Sequence, residues 1–469
     1  MKTRPFAIAS LAAAWIAGGC AVGPNYQPPK TSAPPQFANG AQDGLTTNEP
    51  VAAWWRSFHD DELTKLVDWA ASSNLDLRVA TANLLEARAL RLGAKSDFLP
   101  VAGGNASYSN NTYSEAQLFN FAGPRRQELY DLGFDATWEL DIFGRLRRSY
   151  AASTAAMQAA ESARRDVLVS LTAEVARNYF ELRGAQDELA VLRRNADNQT
   201  QTLKLTQARL DAGGGTELDV AQARAEVNNT LAAIPPVEST IAHAMHRIGV
   251  LTGRQPEALV DELREPRALP VLPELVDIGD PVQLLRRRPD IRAAERNLAA
   301  ATSRIGVAVA DLFPRVTFNG AVGLEATTFS GLSKSGSDYH SFGPSITWAA
   351  LDYGHVRSRI TAARAEADAQ LAQYEETVLT SLEETEDALV DYGRARARRD
   401  YLAESVKASQ AAATLSQSRY DNGATDFLTV LDAERVLLQA QDQLAQTRTE
   451  TATALVAVYK ALGGGWENN

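Results

Sequence analysis

Residues 78–100, RVATANLLEARALRLGAKSDFLP, and 292–314, RAAERNLAAATSRIGVAVADLFP, are one segment written twice: Arg78 matches Arg292, Asn83 matches Asn297 and Pro100 matches Pro314, an offset of 214. Further along the offset is 210. TWELDIFGRLRRS (137–149) returns as TWAALDYGHVRSR (347–359), and ARLDAGGGTELDVAQARAEV (208–227) returns as SRYDNGATDFLTVLDAERVL (418–437). The first copy therefore holds four extra residues between its Pro and its Trp, since 214 − 210 = 4. A period this long means duplication of a whole subdomain, not a solenoid of short repeats. Each copy reads helix, strand, loop, strand, long helix, turn, helix, with the change from strand to helix near Gly144 and again near Gly354.

The strands alternate. Tyr130, Leu132, Phe134, Ala136, Trp138, Leu140 and Ile142 are apolar, and between them lie Asp131, Gly133, Asp135, Thr137, Glu139 and Asp141. Successive side chains of a strand point to opposite faces, so one face is apolar and the other acidic or polar. Val316, Phe318, Val322 and Leu324, then Phe342, Ile346 and Trp348, repeat the pattern in the second copy, and a Gly-rich fourth strand is expected near 101–112. A tilted membrane strand needs about 9–11 residues, a length these runs reach. Trp138 and Trp348 fall near strand ends on the apolar face, as in an interfacial aromatic belt. The spacing therefore predicts lipid against Phe134, Trp138, Phe318 and Trp348, and water against Asp131, Asp135 and Glu139, where acidic side chains favour cations. A soluble sheet packed on one side is the alternative. Four strands cannot close, and an open edge in lipid leaves backbone groups unpaired at a cost of several kcal/mol each. Several copies must share one barrel; two would give 8 strands and three would give 12, and the pattern alone does not choose.

The helices are long. No proline occurs from about 145 to 212, and Leu168, Val175, Leu182 and Leu189 fall seven apart, interleaved with Leu171, Asn178, Ala185 and Leu192. That is a coiled-coil seam, and at 1.5 Å per residue it predicts a helix of about 100 Å. A second long helix is expected over 355–422, a return helix over 216–233 that stops at Pro235-Pro236, and another helix over 62–96. Gly213-Gly214-Gly215 and Gly423 read as left-handed C-caps, with Thr216 (capping box with Asp219) and Thr425 or Asp426 as the following N-caps.

The N-terminus reads as an export signal: Lys2 and Arg4, an apolar run from Phe6 to Ile16, then small residues and Cys20, the single cysteine. This resembles a bacterial lipoprotein signal, in which the cysteine is acylated, for example with palmitate. Residue 21 is Ala rather than Asp, which implies outer-membrane delivery. Residues 23–50 are rich in Pro, Gly, Asn and Thr and predict an extended linker. The charge of −11 argues against nucleic acid as the main partner. There is no Walker-type phosphate loop and no G-x-S-x-G elbow, so no catalytic residue and no cofactor is assigned, and energy must come from a partner. His243 and His246 share a helix face, but no Cys and no clear acidic third ligand accompanies them, and no metal site is assigned.

GPNY after Cys20, WWRSFHDDELTKLV (54–67), RRPDIRAAERNLAAA (287–301), DLFPR (311–315) and SRYDNGATDFLTVLDAER (418–435), in that order and spacing, resemble the TolC-like outer-membrane factor family, and its OprM/NodT-type lipoprotein branch above all. The resemblance implies an α+β membrane protein: a homotrimer with a 12-stranded transmembrane β-barrel continued by a 12-helix periplasmic α-barrel, two structural repeats per chain. Its partners would be a periplasmic adaptor (membrane fusion) protein, an inner-membrane pump of RND type and outer-membrane lipid. The role implied is a passive exit duct for small toxic molecules in a Gram-negative bacterium. The same duct serving protein or oligosaccharide export, and a lipid-tethered periplasmic coiled-coil scaffold, are the alternatives.

The expected organisation is a signal peptide (1–19), a lipidated extended linker (20–52) and a first repeat (53–254; strands about 101–112 and 129–142, helical hairpin 145–234). An equatorial connector (255–286), a second repeat (287–463; strands about 315–326 and 340–351, hairpin 355–462) and a tail (464–469) follow. Leu428, Asp432 and Arg435 follow Gly423 on one helix face, and the family resemblance implies that they form the periplasmic gate. The first copy has Leu218, Gln222 and Ala225 there and lacks the charges. Adaptor docking is expected at the hairpin tips: Arg209, Gly213, Gly214, Gly215, Arg419 and Gly423. Pro289 suits the first position of a helix, with Asp290 in the first turn.

Overall fold

The computed structural model describes residues 21–31, 33–114 and 124–466. The expected signal peptide and the acylation site Cys20 lie outside the described residues, as do the last three residues of the expected tail. The chain divides into two compact units, one built from residues up to Lys30, Asn83–Ala160 and Ala293–Glu375, the other from Thr31–Ala82, Glu161–Arg292 and Glu376 onward.

The first unit carries a four-stranded antiparallel sheet of β2 (Val101–Thr112), β3 (Arg126–Leu140), β5 (Arg315–Ala326) and β6 (Asp338–Thr347), in that spatial order. Its register places Ala102 opposite Ala136, Phe134 opposite Val322, Trp138 opposite Phe318, and Phe318 opposite Pro344. Directly opposed residues share a face, so the alternation read within single strands becomes one apolar face across all four. β2 and β6 are the terminal strands of this order. The last strand is shorter than expected. It ends at Thr347 rather than 351, because Ala349 to Asp352 close a turn in which Asp352 N donates to Ala349 O at 3.1 Å. Trp348 therefore stands just past the strand.

The second unit holds the aromatic core. WWRSF (54–58) is a short 3-10 helix whose Trp54 is fully buried and stacks on Tyr459 at 4.9 Å between ring centroids. Asp60 caps the next helix, α1 (Asp61–Ser73), by accepting from Leu63 N at 2.8 Å, and its other oxygen accepts from the Tyr179 hydroxyl at 2.8 Å. The single helix expected over 62–96 is two, α1 and α2 (Leu75–Ser96). Asn74 is extended between them, and its side chain accepts from Leu77 N while donating to Leu251 O. Asn offers the backbone such a local alternative to helix, and here that alternative is taken.

The long helices are α3 (Arg145–Asp211) and, in the second copy, α7 (Tyr353–Asp421), with returning α4 (Glu217–Leu251) and α8 (Phe427–Ala461). Between α4 and α7 lie α5 (Pro281–Arg287) and α6 (Pro289–Ala310). Of the expected heptad positions of α3, Leu168, Leu171, Val175, Asn178, Leu182, Ala185 and Leu192 are all buried. α4 does not stop at 233 as expected; it runs through Pro235 and Pro236 to Leu251. An interior proline costs a helix about 3 kcal/mol. Packing of Ile234, Val237 and Ile241 against Ala185, Leu189 and Leu192 of α3 holds the segment helical nonetheless. The expected linker is extended but it is not a free tether. Phe37 is buried in the core, Ala38 N and Asn39 N donate to Glu386 at 2.7 and 3.0 Å, and Leu45–Thr46 (β1) pairs with Val276–Asp277 (β4). Its Pro- and Asn-rich composition limits regular structure to that two-residue strand and does not prevent contacts.

Candidate functional site

Three regions carry the residues singled out from the sequence: the sheet with its junction to the helices, the RRPD segment, and the hairpin tips.

On the apolar face of the sheet Phe134, Trp138 and Phe318 are exposed, by 68%, 41% and 42%. Trp348, also exposed, repeats the bond of its counterpart: the Trp138 indole N–H donates to Phe98 O at 2.9 Å, and that of Trp348 donates to Leu312 O at 3.1 Å. Each ring shows its apolar body while its polar atom is satisfied by the chain entering the sheet, the arrangement that suits an interface between lipid and water. On the other face Asp131 accepts from the Asn105 amide, and Asp135 faces Gly103 and Ala321 across the neighbouring strands. Glu139 departs from the expected free acid. Arg145 grips both its oxygens, at 2.8 and 2.6 Å. A bidentate pair neutralises the carboxylate, so Asp131, Asp135 and the exposed Glu325 opposite Asp131 carry the acidic character of that face.

Gly144 answers for the change from strand to helix. Its φ is +82°, open to glycine at little cost, and Ala21 packs where a side chain would stand. Asp141 then accepts from Leu146 N and Arg147 N at 2.9 and 3.0 Å, satisfying the first donors of α3. The second copy is built differently: Gly354 lies inside α7, and Leu351, the counterpart of Asp141, is fully exposed. One turn into α3, buried Arg148 donates to Val22 O, Gly23 O and Asn25 Oδ1 at 2.9, 3.0 and 2.9 Å, and its stem lies over Gly306. Nothing in the local sequence distinguishes Arg148 from Arg145 or Arg147.

In the RRPD segment Pro289 is the first residue of α6, as expected, and it pushes Arg288 into extended backbone. The Arg288 guanidinium, buried to 9% exposure, bonds Asp290 at 3.0 and 2.7 Å, Glu384 at 2.8 Å and Ala461 O at 3.0 Å. Asp166 stands among these charges. Burial, and then Asp290, push its carboxyl up to about 6, against the pull of Arg288 and Lys460.

At the tips, Gly213 and Gly423 have φ of +76° and +71°. Gly214 N donates to Arg209 O and Gly213 N to Leu210 O, both at 2.9 Å; Ala424 and Gly423 repeat the pair on Arg419 and Tyr420. These are two copies of one Schellman cap. Thr216 and Asp219 form the expected capping box, and of the two N-cap candidates in the second hairpin it is Asp426 that accepts from Thr429 N, at 3.0 Å. Arg209 is engaged by its own chain: it lies over the Tyr420 ring and within 3.4 Å of Asp421, whereas Arg419 is exposed. Phe427 and Val430, buried against Ala223, take the seam of α8. Leu428, Asp432 and Arg435 are therefore left exposed on another face, with Asp432 and Arg435 joined at 2.6 Å. Leu218 is exposed in the first hairpin, with no charged pair beside it at Gln222 and Ala225.

The comparisons with known proteins agree with one another. The family described as "Outer membrane efflux protein" matches residues 66–254 and 281–464, the two repeats. The solvent efflux pump outer membrane protein SrpC of Pseudomonas putida is 33% identical over 459 residues, covering 96% of both chains. Nodulation protein T of Rhizobium leguminosarum bv. trifolii is 31% identical over 462 residues, again covering 96% of both. Among solved structures, the outer-membrane channel OprN superposes with a TM-score of 0.91 at 44% identity, over 95% of this chain and all of that one.

Proposed function

The chain belongs to the outer membrane efflux protein family, and from that premise we propose how this sequence performs the family's task. It is the outer-membrane exit duct of a tripartite efflux system in a Gram-negative bacterium. Three copies supply β2, β3, β5 and β6 to one closed barrel of 12 strands, and α3, α4, α7 and α8 to a 12-helix tunnel. The observation that carries this is the sheet register: one apolar face runs across all four strands, and the order ends on two strands, β2 and β6, that need partners. Lipid covers Phe134, Trp138, Phe318 and Trp348, water meets Asp131 and Asp135, and Cys20 carries the acyl anchor.

Leu428 and Asp432 form successive rings at the periplasmic mouth, where Arg435 holds Asp432. The first hairpin lacks these charges, so the two hairpins do not contribute equally to the gate. An adaptor docks on the Gly213–Gly215 and Gly423 turns, with Arg419 as the available cation. An inner-membrane pump of RND type supplies the energy, and the cargo is small toxic molecules, the class suggested by the likeness to a solvent efflux pump protein. A deletion strain challenged with solvents, dyes and antibiotics tests the reading. Sensitisation reversed by the intact gene is the expected result; unchanged tolerance across the panel, with the cognate pump expressed, would overturn it.

A further inference from the structure

At the end of the sheet away from the long helices, the apolar face carries one further element. Between β5 and β6, Phe329–Ser333 forms a single 3-10 turn. Phe329 meets Tyr130 edge to face, with ring centroids 5.9 Å apart, and Tyr130 lies 4.7 Å from Tyr108, its partner across the strands. A methyl on Gly331 would stand 2.9 Å from Ala326 Cβ, and Ala326 lies opposite Tyr130. Opposed residues share a face, as does every second residue along a strand. Tyr108, Tyr130 and Ala326 therefore lie on the face of Phe134 and Trp138, and the turn folds back over that face, not over the acidic one.

Hydrogen bonds pin the turn in place. Gly331 N donates to Thr328 O at 2.9 Å and Lys334 N to Gly331 O at 3.0 Å. The hydroxyl of buried Ser337 is 2.8 Å from both Leu332 O and Lys334 O, and Glu325 N donates to Ser337 O at 2.7 Å. Yet Phe329 is 75% exposed and adjoins exposed Tyr108 through Tyr130, so the turn presents one aromatic patch. Copies joined at the terminal strands β2 and β6 leave this patch uncovered, because Phe329 stands over β3, an inner strand. Beyond Tyr130 the same face turns polar. Arg126 donates to Glu128 at 3.3 Å, and Lys334 is exposed with no ion-pair partner among the described residues. From Tyr130 to Trp138, a strand rising about 3.4 Å per residue at a tilt of about 40° covers about 20 Å of height, close to the apolar band of membrane barrels. Aromatic girdles bound such a band on both sides. Trp138 and Trp348 supply the girdle beside the helices.

We propose that the Phe329 turn is seated in the outer leaflet of the membrane. Phe329, Tyr130 and Tyr108 form the second girdle against the ends of the acyl chains, and Lys334 reaches the headgroups. This placement rests on the exit-duct reading, in which Phe134 and Trp138 face lipid.

The test uses the unmodified protein purified from membranes and reconstituted in phosphatidylcholine vesicles. A carbene precursor dissolved in the bilayer is activated by light, a water-soluble one is used in a parallel sample, and peptide mass spectrometry locates the tags. The ratio of lipid-phase to water-phase tagging at Phe329 should match that at Phe134 and exceed that at Ser335, just past the turn, several-fold. Phe134 tagged from the lipid with Phe329 tagged from water, or from neither side, would overturn the placement of the turn alone. Phe134 left untagged from the lipid would overturn the exit-duct reading and the placement with it.

Discussion

Arg148→Ala should release residues 21–25 from the helices they lie against while leaving the rest of the fold in place. The guanidinium makes three good hydrogen bonds to this segment, to Val22 O, Gly23 O and Asn25 Oδ1, and a longer one of 3.4 Å to Ala21 O. A hydrogen bond to a charged group contributes about 1.5–3 kcal/mol. The acceptors on Gly23 and Asn25 are exposed and regain water when freed, so the low end applies and the bonds do not simply add. A loss of about 3 kcal/mol in local stability is the resulting estimate. At 1.4 kcal/mol per tenfold, the open population should rise about a hundredfold. The Val22 amide reports it, because its N–H is held by Phe143 O at 3.1 Å only while the segment is docked. Hydrogen–deuterium exchange on the purified protein should show Val22 exchanging about a hundredfold faster, with amides near Val175 unchanged. Arg148→Lys should fall between the two, with Val22 exchanging about tenfold faster than in the unmodified protein, since one point charge replaces a planar fork. Gly306→Ala should imitate Arg148→Ala, because the added methyl would stand 2.7 Å from Arg148 Cδ. Val22 exchange within twofold of the unmodified protein in Arg148→Ala, or equal acceleration at Val175, would refute the reasoning.

Asp432→Ala should raise single-channel current and antibiotic entry without harming the fold, since the exposed pair with Arg435 contributes under about 1 kcal/mol to stability; unchanged current would count against the gate assignment. Gly184→Ala should destabilise by about 2 kcal/mol through overpacking. Its new methyl would meet Thr449 Oγ1 at 1.8 Å and Cγ2 at 2.7 Å, and Thr449→Ala should restore part of the loss in a thermal double-mutant cycle; strictly additive effects would refute the contact. Asp166→Asn should stabilise the protein above about pH 6. The raised carboxyl makes the folded chain bind more protons than the unfolded chain between the ordinary carboxylate range and about pH 6, so stability falls as pH rises through that window, and the amide removes the fall. Parallel stability–pH curves for the two proteins would dismiss the assignment.

Features written within a short stretch were legible in the sequence, and features written across it were not. The alternation from Tyr130 to Leu140 specified its faces without any partner, and the register then aligned Phe134 with Val322 and Trp138 with Phe318. The seven-residue spacing from Leu168 to Leu189 and the Gly213 and Gly423 caps were equally local. The passage of α4 through Pro235 and Pro236 was not legible, because packing against Leu192 of another helix decides it. Nor was the docking of the N-terminal strap, whose bonds join Tyr26 to Glu295 and Ala38 to Glu386 across 269 and 348 residues. Glu139 shows the converse. Its place in the alternation was read correctly, but Arg145, six residues on, changed its chemistry.

Ala21 rests on the Gly144 turn, and Cys20, the residue proposed to be acylated, is its neighbour in the sequence. Fatty acids on that cysteine would enter the bilayer with almost no leash. The depth at which the duct floats would then be gauged from below by a covalent bond, and a membrane of different thickness would have to deform around the protein rather than let it ride up or down.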